Sequence, residues 1–383
     1  MKKILSVICC LLIMLSVSVP AFAAQETEAG TLSAKSAILV DIATGRVLTQ
    51  LNPDEKLSPA SITKVMTILL TVEALEDGKI SLEDNVTASQ NASSKGGSQI
   101  WLKEGETMTV HELLKATVVA SANDACTALG EYIAGDEASF VSLMNKRAAE
   151  LGMTNTCFEN CSGLDDTVTN HYSTARDVAT MSRELMKHDM ILEYTTIWTD
   201  SLRNGETQLV NTNRLIRYYD GATGLKTGTT SKAGYCVTAT AKRDSTSLVA
   251  VILGSDNSTE RFEDAKKLLN WGFANYSTYT PEPDLSLITP VTVLCGKEKS
   301  VIPVPKNISS ITVEKGSDER MTQRIELSTD VEAPVEKGQL LGKIYFEIDG
   351  KTVSECPLIS ENSVERRTMA YVFSLLWRSF AKK

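Results

Sequence analysis

Tyr235-Cys-Val-Thr-Ala-Thr-Ala241 and Ser247-Leu-Val-Ala-Val-Ile-Leu253 are separated only by Lys242-Arg-Asp-Ser-Thr246. Short runs rich in β-branched and small apolar residues, bounded by polar ones, predict neighbouring strands. Directly after them, 260–273 carries helical periodicity and closes the unit. Nearer the start, 37–40 and 46–49 predict a second strand pair, a hairpin across Asp41-Ile-Ala-Thr-Gly45. The segment between the two pairs is mainly helical in pattern: 62–76, 110–120, 124–133, 137–151 and about 175–186. Strands at both ends with helices between them predict an α+β fold over 33–279, an antiparallel sheet carrying a helical insertion.

Composition shifts at Thr280-Pro-Glu-Pro283, which reads as a linker. Beyond it, the β-rich runs 291–295, 300–304, 311–313, 324–327, 340–348 and 352–356 alternate with turns, and Asp349-Gly350 is a tight hairpin signal. A small all-β domain over 285–359 follows, without a cluster of catalytic side chains. In the last segment, 361–383, Met369, Val372, Phe373, Leu376, Trp377 and Phe380 fall on one stripe of a helix. Arg366, Arg367, Arg378, Lys382 and Lys383 outnumber Glu361 and Glu365 there. No apolar run in it is long enough to span a bilayer. A basic amphipathic helix at a chain end fits the interface of a membrane with anionic lipids; the plainer alternative is a helix docked on its own domain.

The other end sets the compartment. Lys2 and Lys3 precede an apolar run over 4–19, and Ala21-Phe22-Ala23 supplies the small residues of a cleavage site. This reads as a secretory signal peptide over 1–23, so the protein is expected on the outer face of the cytoplasmic membrane. Its removal takes two lysines and no acid from a chain already at net charge −9. Such an acidic chain is a poor nucleic-acid binder. Three scattered histidines, His111, His171 and His188, make no zinc motif, and no cofactor is implied. Of the cysteines beyond the signal, only Cys157 and Cys161 are close in sequence; they either bridge or serve as small buried apolar residues.

Three short motifs stand in order: Ser61-Ile-Thr-Lys64, Ser121-Ala-Asn123 and Lys226-Thr-Gly228. Average composition gives about one or two chance matches each to S-x-x-K and S-x-N in a chain this long, but roughly 0.1 to K-T-G. Decoys do occur, as at Ser379-Phe-Ala-Lys382 and Ser89-Gln-Asn91. Only one set has this order and context. Ser61 follows Pro59-Ala60 where a helix begins, and free N–H groups at that end can stabilise an oxyanion. Lys64 lies one turn on and can bring its amine to the Ser61 hydroxyl. To act as a base the amine must be neutral, which burial beside a second ammonium such as Lys226 would favour. Taken alone, Ser61 also suits a plain N-cap, and Ser121 and Asn123 suit a cap and a turn. Lys226, Thr227, Gly228 and Thr229 lie on an extended segment whose ammonium and hydroxyls can grip a carboxylate, with an open edge for a peptide.

These motifs, with Ser162-Gly-Leu-Asp165, Ser173-Thr-Ala-Arg-Asp177 and Gly224-Leu-Lys-Thr-Gly-Thr-Thr230, make the chain resemble serine-type D-alanyl-D-alanine carboxypeptidases. These are low-molecular-mass penicillin-binding proteins, and the likeness is strongest to the Gram-positive branch with its sporulation-associated members. The resemblance implies a β-lactamase/transpeptidase-like fold and an acyl-enzyme on peptidoglycan stem peptides ending in D-Ala-D-Ala. It implies Ser61 as nucleophile, Lys64 as its base, and Ser121 relaying a proton while Asn123 positions the substrate amide. Backbone N–H groups of Ser61 and Thr229 would form the oxyanion hole. Lys226 and Thr227 would hold the terminal carboxylate, helped by Arg261, and β-lactam antibiotics would trap Ser61. Some relatives have His after K-T-G, where this chain has Thr229. A transpeptidase, a β-lactamase or a non-catalytic penicillin sensor of the same fold are the alternatives. Against the second, no Glu between the S-x-N and K-T-G motifs lies four residues before an Asn; against the third, all three motifs are intact.

Overall fold

The computed structural model describes residues 25–166 and 168–381. The expected signal peptide lies outside the described residues. Five strands, β1 (Ser36–Asp41), β2 (Val47–Leu51), β3 (Ala222–Thr230), β4 (Gly234–Arg243) and β5 (Thr246–Ser255), form one antiparallel sheet in the order β2-β1-β5-β4-β3. The two strand pairs therefore meet at its centre, where Leu39 of β1 lies opposite Ala250 of β5. In the β1–β2 turn, Asp41 Oδ1 accepts from the backbone N–H and hydroxyl of Thr44 at 2.8 and 3.0 Å.

Near-continuous apolar runs arise because both faces of the sheet are covered. Leu248, Ala250 and Ile252 pack with Phe262, Leu268 and Leu269 of α6 (Ser258–Asn275). The alternate residues Val249, Val251 and Leu253 face the larger core. That core is built with α1 (Lys64–Glu76), α2 (Val110–Val119), α3 (Asn123–Ala134), α4 (Glu137–Glu150) and α5 (Ala175–Leu185). α1 is buried almost all round, with Val65, Met66, Leu69 and Val72 at its centre, so it is the axis of the helical layer. A capping box between Thr109 and Glu112 starts α2.

The second region is all β. Its main hairpin joins Leu340–Ile348 to Lys351–Ser360 across Asp349 (φ +51°) and Gly350 (φ +75°), the two positive φ values of a type I′ turn. The run 300–304 divides: Ser300–Val301 pairs with Val291–Leu294, while Pro303–Pro305 pairs with Lys351–Ser360. Proline lacks the N–H for a central ladder, and Pro303–Pro305 is an edge strand. Tyr276–Tyr279 pairs antiparallel with Ile311–Glu314 and so ties the two regions. Arg46 Nη1 donates to Thr312 O at 2.6 Å across the same junction.

At the C-terminal end, the helix α7 spans Met369–Ala381 and so begins later than the expected 361. The residues ahead of it follow the β domain instead: Val364 is buried there and bridges Val335. Met369, Phe373 and Trp377 on α7 are exposed. No helix among the described residues is long and apolar enough to cross a membrane. Cys157 and Cys161 are not bridged. The Cys157 backbone pairs with Tyr172, while Cys161 Sγ lies 3.3 Å from Glu137 Oε1, so the two residues face different neighbours.

Candidate active site

Leu57-Ser-Pro-Ala-Ser-Ile-Thr-Lys64 enters α1 through a 3-10 turn, Ala60–Thr63. Ala60 sits at φ +47° and is fully buried. A left-handed alanine costs on the order of 1–3 kcal/mol and persists only where its surroundings fix it. Here two glycines close in. A Cβ at Gly163 would stand 1.9 Å from Ala60 O, and one at Gly228 would stand 2.7 Å from Pro59 O and 3.0 Å from Ser61 N. The turn is thus held between the 160–165 loop and the K-T-G strand. Ser61 is half-buried, and its hydroxyl does not cap the helix. The N-cap reading of Ser61 therefore fails.

Lys64 is fully buried at the start of α1. Its Nζ donates to Ser61 Oγ at 2.9 Å, Asn123 Oδ1 at 2.5 Å and Ser162 O at 2.8 Å. Burial lowers its ammonium to about 8, although Cys126, Cys161 and Asp124 pull the other way. The depression comes from desolvation rather than from Lys226. It is Lys226 whose ammonium falls well below its usual range, through burial first and the charge of Lys64 second.

Ser121 connects α2 to α3 at φ +62° and is 4% exposed. Asn123 opens α3. Its backbone N–H donates to Ser98 O and its Nδ2 to Gly96 O, both at 2.7 Å, so the amide oxygen is aimed at Lys64. Asp124 anchors the same loop by accepting from the N–H groups of Ile100 and Leu102.

β3 is an edge strand and carries Lys226-Thr-Gly-Thr229 past the Ser61 turn. Lys226 is buried, with Nζ donating to Thr227 O at 3.1 Å, and Thr227 Oγ1 donates to Thr212 Oγ1 at 2.7 Å. Thr229 is exposed. Arg261, from α6, stands against this strand, its Nη1 donating to Gly228 O, Thr229 Oγ1 and Cys236 O. The structure therefore gathers Ser61, Lys64 and Asn123 by direct bonds. Gly228 meets them by contact, and Arg261 braces the strand.

Sequence reasoning missed the groups that hold these in place. Ser162 O and Gly96 O are backbone carbonyls, which no residue type announces. Asp165 is different: its Oδ2 accepts from Ser58 at 2.9 Å and Thr230 at 2.6 Å, joining the Ser61 turn to the end of β3. An acid in Ser162-Gly-Leu-Asp165 was visible, but its two partners were not.

A fold of this kind, which brings a serine, a buried lysine and a K-T-G strand together, defines a penicillin-recognising serine enzyme. Residues 22–257 match the D-alanyl-D-alanine carboxypeptidase family, and 276–366 match the penicillin-binding protein 5 C-terminal domain. The D-alanyl-D-alanine carboxypeptidase DacF of Bacillus subtilis is 40% identical over 96% of this chain and 95% of its own length. Penicillin-binding protein 5 from Haemophilus influenzae superposes with a TM-score of 0.79 at 33% identity, covering 88% of this chain and 98% of the other. Penicillin-binding protein D2 from Listeria monocytogenes, solved in an ampicillin-bound form, superposes over 63% of this chain and 98% of its own at 33% identity and a TM-score of 0.56. The chain belongs to the D-alanyl-D-alanine carboxypeptidase family and is a serine carboxypeptidase of the low-molecular-mass penicillin-binding type.

Proposed function

We propose that the protein is exported and trims the terminal D-alanine from peptidoglycan stem pentapeptides through an acyl-enzyme on Ser61. The observation that carries this reading is the fully buried Lys64 amine 2.9 Å from the Ser61 hydroxyl. With an ammonium at about 8, roughly a tenth of the molecules hold a neutral amine at pH 7. Lys64 takes the Ser61 proton as Oγ attacks the carbonyl between the two D-alanines. Backbone N–H groups of Ser61 and Thr229 receive the oxyanion. Ser121 passes a proton to the departing amine, and Asn123 holds the substrate amide. Lys226 and Thr227 grip the terminal carboxylate, and Gly228 lets the strand come close enough. Arg261 fixes Thr229 and adds positive charge. Water then releases the shortened peptide. A penicillin would acylate Ser61 in the same way and leave slowly.

The two ends of the chain give the setting. Residues 1–23 direct export, and the basic C-terminal segment with its exposed Met369, Phe373 and Trp377 rests the enzyme on the membrane surface. The deciding experiment is release of free D-alanine from a pentapeptide ending in D-Ala-D-Ala, with Ser61→Ala in parallel. Release that disappears in the variant supports the reading. A folded parent that binds penicillin at Ser61 but releases no D-alanine overturns it.

A further inference from the structure

Three residues of the K-T-G strand, Thr227, Gly228 and Thr229, are gripped by groups that line a further cavity. This open cavity of about 640 Å³ is lined by Trp198, Thr212, Arg214, Tyr218, Ser258 and Arg261, among others. It adjoins the strand where Thr212 Oγ1 accepts from Thr227 and where Arg261 donates to Gly228 O and Thr229 Oγ1.

Its charge is one-sided. Among the described residues, neither Arg214 nor Arg261 has a carboxylate within ion-pair distance; the arginines so paired lie elsewhere. Arg261 is 7% exposed, and its Nε has no hydrogen-bond partner. Glu263, which lines the adjoining cleft with Arg214, is engaged by Lys266 at 2.9 Å. Burial lowers Arg261 to about 10; Cys236 and Tyr235 pull the other way, and the charge of Arg214 adds to the lowering. Arg217 lies over the rings of Trp198 and Tyr218 at 5.7 and 5.8 Å, which steadies the aromatic wall. A buried cation without a counter-charge is costly, and an anionic ligand would relieve it.

We propose that this cavity receives a second carboxylate on the leaving residue, so that the enzyme also cleaves stem peptides ending in an acidic D-amino acid such as D-glutamate. The inference rests on the carboxypeptidase reading above and names a substrate class for the same site. The covalent steps are those already described: the Ser61 Oγ–acyl bond forms, the amide C–N bond to D-glutamate breaks, and the departing amine gains a proton. Water then hydrolyses the ester.

The test compares otherwise identical peptides ending in D-Ala-D-Glu and D-Ala-D-Gln, which differ only in that side-chain charge, with D-Ala-D-Ala as reference. The expected kcat/KM ratio of Glu to Gln is about five- to tenfold at low salt, discounted for the exposure of Arg214. It should shrink with added salt and approach one in Arg214→Gln. A ratio of one or less in a parent that cleaves D-Ala-D-Ala overturns the pocket alone. If that parent leaves D-Ala-D-Ala intact, the carboxypeptidase reading falls and takes the pocket with it. A readout without turnover is the slowing of fluorescent-penicillin acylation by free D-glutamate; equal slowing by D-glutamine would overturn the proposal.

Discussion

Lys64 Nζ donates to Asn123 Oδ1 at 2.5 Å, and the same nitrogen reaches Ser162 O and Ser61 Oγ. An amide oxygen and a carbonyl can only accept, whereas a hydroxyl can do either. The neutral amine has two N–H bonds and one lone pair. It can keep its bonds to Asn123 and Ser162 and accept from Ser61, so only the Ser61 bond changes direction on deprotonation. The site fits both states of Lys64 without rearrangement. Acylation of Ser61 by a fluorescent penicillin should therefore rise with pH through a midpoint of about 8, the value to which burial brings the ammonium. A rate flat between pH 6.5 and 9 would remove Lys64 from the role of base.

Asn123→Asp tests the same contact by charge. A carboxylate there would favour the ammonium and raise its pKa by about 1–3 units. The acylation midpoint should move up correspondingly, with the rate at pH 7 falling about ten- to a thousandfold. Asn123→Ala lacks the charge and should lower the rate without that upward shift. If both variants share one midpoint, the electrostatic account of this contact is wrong.

Gly228→Ala probes how closely β3 presses on the Ser61 turn. The new Cβ would meet Pro59 O at 2.7 Å and Ser61 N at 3.0 Å, and both are backbone atoms with little room to yield. Displacement on the order of 1 Å at a reacting centre costs about 100-fold in rate. Overpacking of this kind costs about 1–3 kcal/mol in stability. Thermal melting and penicillin acylation measured on one preparation would separate the two effects. An alanine variant with parental acylation would show that the strand can retreat freely.

How much of this was readable beforehand follows from what each contact is made of. Ser61 and Lys64 were legible because three residues of helical spacing place two side chains on one face. The strands β4 and β5 were legible because their runs of small and β-branched residues suit a sheet covered on both sides. Ser162 O and Gly96 O were not, since a carbonyl belongs to every residue and only the path of the chain aims it. The Arg261 bonds to the K-T-G strand depend on how α6 lies across the sheet, a long-range fact without local signature. Likewise, β-rich composition marked 300–304 as β but could not tell that Ile302 separates two strands belonging to different sheets.

The C-terminal segment should bind membranes through charge and apolar area together. Full-length mature chain is expected to co-sediment with vesicles containing anionic lipid, less so at high salt, while a chain ending at residue 366 stays in solution. Phe373→Ser with Trp377→Ser should weaken binding without altering penicillin acylation, since both side chains are exposed. Equal sedimentation of the full-length and shortened chains would discard the anchor.

His171 ties the fold's stability to pH. It is buried, with Nδ1 accepting from the Glu159 N–H at 3.1 Å, which leaves Nε2–H to donate to Thr63 Oγ1 at 2.7 Å in the turn leading to Lys64. Burial lowers the imidazole to about 4, with smaller opposing pulls from Glu159 and Asp165. The unfolded chain protonates this histidine near 6.5, so between that pH and about 4 it binds a proton that the native state does not. Stability is therefore at its full value above 6.5 and falls as the pH drops towards 4, by no more than about 3 kcal/mol from this group. Carboxylates contribute their own slope at the acid end, so the useful quantity is the difference between parent and His171→Gln in melting temperature at each pH. That difference should narrow as the pH falls from 7 to 4.5, because only the parent is losing the histidine's contribution. Were it constant across the range, His171 would take up its proton in the folded protein at the same pH as in the unfolded chain, and the neutral hydrogen-bond chain from Glu159 to Thr63 would be the wrong assignment.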